Sequence, residues 1–256
     1  ALVAGADDVL SWIVAALGAQ IAGASIVPLN TRFKGQEAGD ILRRSHARLL
    51  FAPRRFLGTD YEALIANEDL PHLIEVIPTD GDFDAFLARG GGAGDPAVDE
   101  ALAMLTGEHI SDIIFTSGTT GRPKGALTTH RQTMQTFGDW ATRVDLREGD
   151  VYLIVSPFFH TFGYKAGWVN CLTRGATIVP MDVFDGDEMV RQIETQRVSF
   201  LSGPPTIYYT LLQAISGEAS HDLSSLRVMV TGSAPVAPSL VERIRTETGL
   251  SNIVNG

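Results

Sequence analysis

Positive charge is scarce in this sequence. Its 256 residues include 20 Lys and Arg against 30 Asp and Glu, a formal net charge of −10. No nucleic-acid partner is expected on that ground, because neutralising a phosphate backbone takes clustered Lys and Arg. A single nucleotide needs only a few local donors and stays open. Cysteine is nearly absent. Cys171 alone cannot form an internal disulfide, which suits a reducing cytosol and leads us to expect a cytoplasmic protein. Its plain reading is a small buried apolar side chain. Charge of either sign is missing from Val9 to Thr31, yet the stretch reads as neither a leader nor a membrane span. No Lys or Arg precedes it, Asp7 and Asp8 stand where a positive region belongs, and Gln20, Pro28 and Asn30 break the apolar run. A buried helix over about 11–22 and a strand over 25–29 fit it better.

What is present points to an α/β fold. Hydrophobic residues make up 45 % of the chain, enough for a substantial core. Short apolar runs predict strands at 49–52, 73–77, 151–155, 176–180, 200–201, 226–231 and 253–254. Amphipathic stretches predict helices at 36–45, 60–66, 131–144, 166–172, 188–196 and 238–248, with a further one opening after Gly203-Pro204-Pro205. Strands alternating with helices of this length imply layered, largely parallel sheets flanked by helices. The run from Ala88 to Pro96 is glycine-rich. Ordering it costs backbone entropy and gains no side-chain packing, so it reads as a surface linker. A first α/β subdomain is set at residues 1–107 and a second at 108–256.

The most informative stretch is Thr116-Ser117-Gly118-Thr119-Thr120-Gly121-Arg122-Pro123-Lys124-Gly125, between two strand-like runs. Gly118, Gly121 and Gly125 lack Cβ and permit positive φ and close approach to a ligand. Successive N–H groups in such a turn form an anion-binding nest. Ser117, Thr119 and Thr120 add hydroxyl donors, and Lys124 a compact positive charge suited to phosphate. The Walker arrangement is missing: Pro123 stands where a glycine precedes the lysine, and Gly125 where Ser or Thr follows it. A Ser/Thr/Gly-rich flexible linker is the bland alternative. Residue for residue, the string resembles the phosphate loop of the adenylate-forming enzymes: acyl-CoA synthetases, adenylation domains of peptide synthetases and firefly-type luciferases.

Other segments resemble the same superfamily. Ser156-Pro157-Phe158-Phe159-His160-Thr161-Phe162-Gly163 ends a predicted strand, and in α/β sheets ligands gather at the carboxyl ends of strands. By resemblance this is the acyl-pocket motif, with Phe159, His160, Phe162 and Gly163 around the substrate and His160 near its carboxyl group and the α-phosphate. An isolated histidine is otherwise a hydrogen-bonded structural residue. His160 need not be a base, since a carboxylate with a pKa of about 4 is already ionised at neutral pH. Gly232-Ser233-Ala234-Pro235 resembles the adenine-and-acyl segment, although an ordinary strand-to-helix turn explains it equally well. Gly203-Pro204-Pro205-Thr206 resembles the turn lining the acyl channel. Lys165 is expected on a solvated face, as most lysines are; the alternative pairs it with a substrate carbonyl or second carboxylate. Residues 158–167, 203–208 and 27–32 together resemble the actinobacterial acyl-CoA ligases of steroid catabolism, nearest those that activate a bicyclic indanedione-propanoate.

The resemblance implies part of the large N-terminal domain of the adenylate-forming fold. It implies an acid:CoA ligase that uses ATP, Mg²⁺ and coenzyme A on a cyclic steroid-derived or a medium- or long-chain acid, and it allows a homodimer. Ser117, Gly118, Thr119, Thr120, Gly121 and Lys124 would hold the phosphates, Thr116 would approach Mg²⁺, and Lys124 and His160 are the catalytic candidates. There are departures. The sequence stops at Asn255-Gly256, where the family continues into Tyr-Gly-x-Thr-Glu, a ribose-binding aspartate, a hinge and a lid domain bearing the adenylation lysine. The first part of the large domain is also missing, so a fragment inactive by itself is expected. Amino-acid adenylation is the first rival, but it calls for an acid after the pocket aromatic to pair with the substrate ammonium. Phe159-His160-Thr161 has none, and a buried unpaired ammonium is costly. Luciferase-like oxygenation shares the adenylation step and stays open. A noncatalytic nucleotide-binding domain is the rival from another class.

Overall fold

The computed structural model describes residues 2–3, 9–90, 94–116, 123–217 and 221–255, with the backbone alone at 2–3. They fall into two compact units, Ala1–Gln135 and Thr136–Gly256. The sequence-based boundary at 107/108 lies inside the first.

The first unit runs β1 (Leu2–Val3), α1 (Val9–Ile21), β2 (Pro28–Leu29), α2 (Gly35–Arg44), β3 (Leu49–Ala52), β4 (Arg55–Phe56), β5 (Thr59–Asp60), α3 (Tyr61–Ile65), β6 (Glu75–Pro78), α4 (Phe83–Leu87), α5 (Pro96–Met104), β7 (Ile110–Thr116), β8 (Lys124–Thr129) and the start of α6 (His130–Arg143). Its main sheet is parallel, in the order β2-β1-β3-β6. The unbroken apolar run Leu49-Leu50-Phe51-Ala52 suits a parallel strand covered on both faces. Leu50 and Ala52 pack with Ala38, Ile41 and Leu42 of α2 and with Tyr61 and Ile65 of α3. Two helices, α4 and α5, escaped the sequence reading. α5 buries no residue, so no apolar stripe announces it; Pro96 in its first turn and the Asp95 carboxylate accepting the Ala97 N–H at 2.9 Å start it. It begins within the stretch read as linker. β7 and β8 pair antiparallel, a departure from the expected parallel pattern. A parallel crossover needs a dozen or more residues, and the loop between these strands is too short for one.

The second unit continues from α6 through β9 (Val151–Ile154), α7 (Thr161–Gly163), a π-helical turn (Tyr164–Val169), α8 (Asn170–Arg174), β10 (Thr177–Pro180), α9 (Gly186–Gln196), β11 (Phe200–Gly203), α10 (Pro205–Ala214), β12 (Val228–Thr231), α11 (Pro238–Thr248) and β13 (Ile253–Asn255). All five strands are parallel, in the order β10-β9-β11-β12-β13. Side chains alternate across the sheet. Leu153, Leu201 and Met229 pack with Met189 and Ile193 of α9, Leu211 of α10 and Leu240 and Ile244 of α11. On the opposite face, Tyr152 and Phe200 meet edge to face at 4.7 Å, and Phe200 meets Trp140 of α6 at 6.4 Å. The helix expected at 166–172 is instead divided between the π-helical turn and α8, with a non-helical ψ of −108° at Gly167. Among the described residues no helix is long and apolar enough to cross a membrane.

A buried ion pair ties the amino ends of three strands together. Asp150 precedes β9 and binds Arg227, just ahead of β12, at 2.5 Å. It also accepts from the Ser199 hydroxyl at 2.7 Å, ahead of β11, and from the Arg147 N–H at 3.0 Å. Burial alone would raise the Asp150 pKa, but the hydrogen bonds from Arg227, Arg147 and Ser199 outweigh it and hold the carboxyl below its ordinary value.

Candidate functional site

In the first unit the phosphate-loop candidates hang from the β7–β8 hairpin. Thr116 ends β7 opposite Lys124, which begins β8, and both are exposed. Ser117, Gly118, Thr119, Thr120 and Gly121 lie outside the described residues. Gly125 sits in β8 rather than in the loop, and its φ is not positive. A Cβ there would stand 3.0 Å from Ile113 Cγ2 and 3.1 Å from the Phe115 ring. Its glycine is therefore explained by cross-strand packing, not by the freedom to approach a ligand that the sequence suggested. Arg44, which the sequence reading passed over, donates to the Pro123 carbonyl at 2.8 Å and lies 5.1 Å from the Phe115 ring centre. Position 44 is four residues after Asp40, its ion-pair partner at 3.1 Å, and that spacing is the only local signal for it. Among the described residues no three His, Cys, Asp or Glu cluster to hold a metal. The Thr116 hydroxyl stands exposed at the end of β7.

In the second unit the strand order reverses between β9 and β11. Such a switch point opens a crevice at the carboxyl ends of the strands. The segment 155–160 leaves β9 there, and Gly203 ends β11. A Cβ on Gly203 would press on Ile207 at 2.9 Å and on Val155 at 3.4 Å. Gly163 is packed harder still: a Cβ would fall 2.2 Å from the Ser156 carbonyl oxygen and 2.3 Å from that of Pro157. Only glycine lets α7 fold back onto the strand end.

His160 caps that helix. Its Nδ1 accepts the Phe162 N–H at 3.2 Å, so the neutral ring carries its proton on Nε2, free to donate outward. Burial of the ring lowers its pKa below the ordinary histidine value, which favours the neutral capping form. Phe159 is half-buried; Phe162 lies 6.4 Å from the His160 ring. Lys165 overturns its expectation. It is 2 % exposed, with Nζ 5.9 Å from the Phe137 ring and 5.7 Å from that of Tyr164. The π-helical turn directs it inward, and no sequence period for an α-helix foretells that.

Beyond β12, Gly232 is buried while Ser233, Ala234 and Pro235 are exposed. Ser233 holds a left-handed φ of 64°, a strained choice for a residue with a Cβ and a frequent mark of functional turns. Thr231, beside Gly203 in the ladder, is buried with its hydroxyl unpartnered among the described residues. Trp140 was also passed over. Its ring meets Phe162 edge to face at 5.9 Å, and the three-residue spacing from Phe137 on α6 would have put both on one face.

These segments can be set beside known proteins. Over 248 residues the chain is 46 % identical to the 3-[(3aS,4S,7aS)-7a-methyl-1,5-dioxo-octahydro-1H-inden-4-yl]propanoyl:CoA ligase of Mycobacterium tuberculosis, covering 95 % of this chain and 48 % of that protein. Identity to the Rhodococcus jostii enzyme of the same name is 42 % over 256 residues, covering 95 % and 49 %. The chain thus spans about half the length of the curated relatives it matches. Among solved structures, the N-terminal domain of FACL13 from Mycobacterium tuberculosis superposes with a TM-score of 0.82 at 26 % identity, over all of this chain and 61 % of that one. The anthranilate CoA ligase AuaEII in complex with anthranoyl-AMP gives 0.81 at 27 %, over all of this chain and 48 % of that one. The profile described as AMP-binding enzyme matches residues 5–256, and the chain belongs to that family.

Proposed function

We propose that the whole protein joins a carboxylic acid to coenzyme A through an acyl-adenylate, and that the acid carries a ring with carbonyl groups. A carboxylate oxygen of the acid attacks the α-phosphorus of ATP and pyrophosphate leaves. The thiol sulfur of coenzyme A then attacks the acyl carbon and AMP leaves. The protein's part is positioning and charge stabilisation. Lys124, with Ser117, Thr119 and Thr120, holds the β- and γ-phosphates. Gly118 and Gly121 let the backbone approach them, and Arg44 fixes the loop's end through Pro123. Thr116 contributes to Mg²⁺, which when bound neutralises phosphate charge. Gly232, Ser233, Ala234 and Pro235 receive the adenine. The Nε2–H of His160 donates to the carboxylate or the α-phosphate oxygens, and Phe159, Phe162, Gly163 and Gly203 bound the acyl group.

The observation that carries this reading is the switch point between β9 and β11, which has the His160 segment and Gly203 at its rim. The ring carbonyls enter from the relatives, whose named acyl group is a dioxo-indenyl propanoyl, and from Lys165, a donor buried one turn past His160. The lack of an acid in Phe159-His160-Thr161 to pair with a substrate ammonium disfavours the amino-acid rival. The test is carboxylate-dependent pyrophosphate release by the full-length protein with ATP and Mg²⁺. Release with a keto-bearing ring acid, with KM raised by Lys165→Met, supports the reading. No release with any cyclic or aliphatic acid overturns it, and an unchanged KM removes Lys165 from it.

A further inference from the structure

α6 and the pocket segment meet along a seam that holds an unused hydrogen-bond donor. Phe137 and Trp140 share a face of α6. Across from them, Lys165 Nζ lies 5.9 Å from the Phe137 ring, and Phe162 lies 5.9 Å from the ring of Trp140. Since Phe162 is also 6.4 Å from His160, Trp140 stands one aromatic ring behind the segment that faces the reacting carboxyl. Its Nε1–H is buried and has no acceptor among the described residues. An indole N–H can only donate, and a buried donor without an acceptor is costly enough that one is normally supplied. The Trp140 indole therefore calls for an acceptor oxygen.

We infer that Trp140 Nε1–H is a specificity-determining donor that hydrogen-bonds a carbonyl oxygen on the ring of the acid substrate. This rests on the acid-activating reading above and extends it to a residue outside the pocket motif. A ring ketone offers lone pairs and no competing hydrogen, which complements a donor-only indole N–H. A hydrocarbon ring or chain of the same shape would leave the indole N–H unpaired. A site built around a buried polar group discriminates strongly against the analogue lacking the partner. Trp140→Phe keeps an aromatic ring against Phe162 and Phe200 and deletes only the donor end.

The experiment compares wild type and W140F full-length protein on two acids: a bicyclic diketo-propanoate and the same carbocycle with both ketones replaced by methylenes. In wild type the diketone is preferred; W140F loses roughly 10- to 100-fold in kcat/KM for the diketone and changes little for the deoxygenated acid. Equal losses on both acids, or a preserved preference, overturn the inference while leaving acid activation intact. A wild type that releases pyrophosphate with straight-chain acids but with neither ring acid overturns the substrate reading and this inference with it. Should W140F fail to fold, the indole ¹⁵N–¹H resonance of wild-type Trp140, assigned by replacing the other tryptophans, decides. It shifts downfield on titration with the diketone and not with the deoxygenated acid; the same response to both contradicts the proposal.

Discussion

In the first unit, the strands flanking the proposed phosphate loop pair with each other, and β7 is bridged to the segment leading into β2 by Asp112 and Ile26. Thr116 and Lys124 stand exposed at the hairpin's end. In the second unit, the pocket segment is wedged. Gly163 is jammed on two carbonyls, Lys165 is buried, and Tyr164 stacks on Trp168 at 5.3 Å. The contrast teaches what each kind of chemistry asks of a scaffold. A loop that grips a charged phosphate needs donors and little packing, so it can be written into a short exposed string. A pocket that chooses among acyl groups needs walls, and walls come from packing between distant parts of the chain.

Substitutions in the two units put that contrast to the test. The largest expected effect lies at the amino ends of the second unit's strands. Arg227→Met leaves the Asp150 carboxylate buried with Ser199 and Arg147 as its remaining partners, and should cost about 3 kcal/mol by urea unfolding at neutral pH, toward the low end for broken buried pairs. Because the Asp150 pKa is lowered on folding, its stabilisation is present above the ordinary carboxylate pKa of about 4 and is lost as pH falls through the depressed value. The gap between variant and wild type should therefore narrow below about pH 4; a gap constant with pH would detach Asp150 from the effect.

Next come matched glycines. Gly163→Ala must move backbone, and should cost about 2–3 kcal/mol, whereas Gly125→Ala presses only on side chains that can turn and should cost about 1 kcal/mol. Equal unfolding midpoints for the two would erase the distinction between wedge and hairpin. The smallest effect is pH-dependent. His160 has a lowered pKa, so the stability it contributes is present above the ordinary histidine value of about 6.5 and declines as pH falls through the lowered one. His160→Gln should flatten a shallow loss of thermal stability between about pH 6.5 and 5; an unchanged pH profile would show that the cap contributes nothing.

How much could be read from the sequence follows the same division. Strands with unbroken apolar runs, such as Leu49–Ala52, and helices opened by proline, such as Pro238–Thr248, lie where periodicity and start signals put them. The two strands flanking the proposed phosphate loop were legible as apolar runs on either side of a Gly/Ser/Thr-rich string. Their antiparallel pairing was not foreseen, and Gly125 was given the wrong reason. Lys165 was misjudged because its burial depends on a π-helical turn and on the Phe137 ring, 28 positions earlier in the chain. Arg227 and Asp150 are 77 positions apart, and Trp140 gains meaning only from Phe162. α5 has only the start signal Asp95-Pro96, because an exposed helix has no apolar stripe to display.

The most direct test of the account is pyrophosphate release by the full-length protein, wild type against Lys124→Ala, with and without acid. Lys124 is exposed, so its loss should shift stability by less than about 0.5 kcal/mol, while acid-dependent release falls roughly 100- to 1,000-fold as a phosphate-binding charge disappears. Release that ignores the acid, or a Lys124→Ala protein that releases pyrophosphate at the wild-type rate, would contradict it.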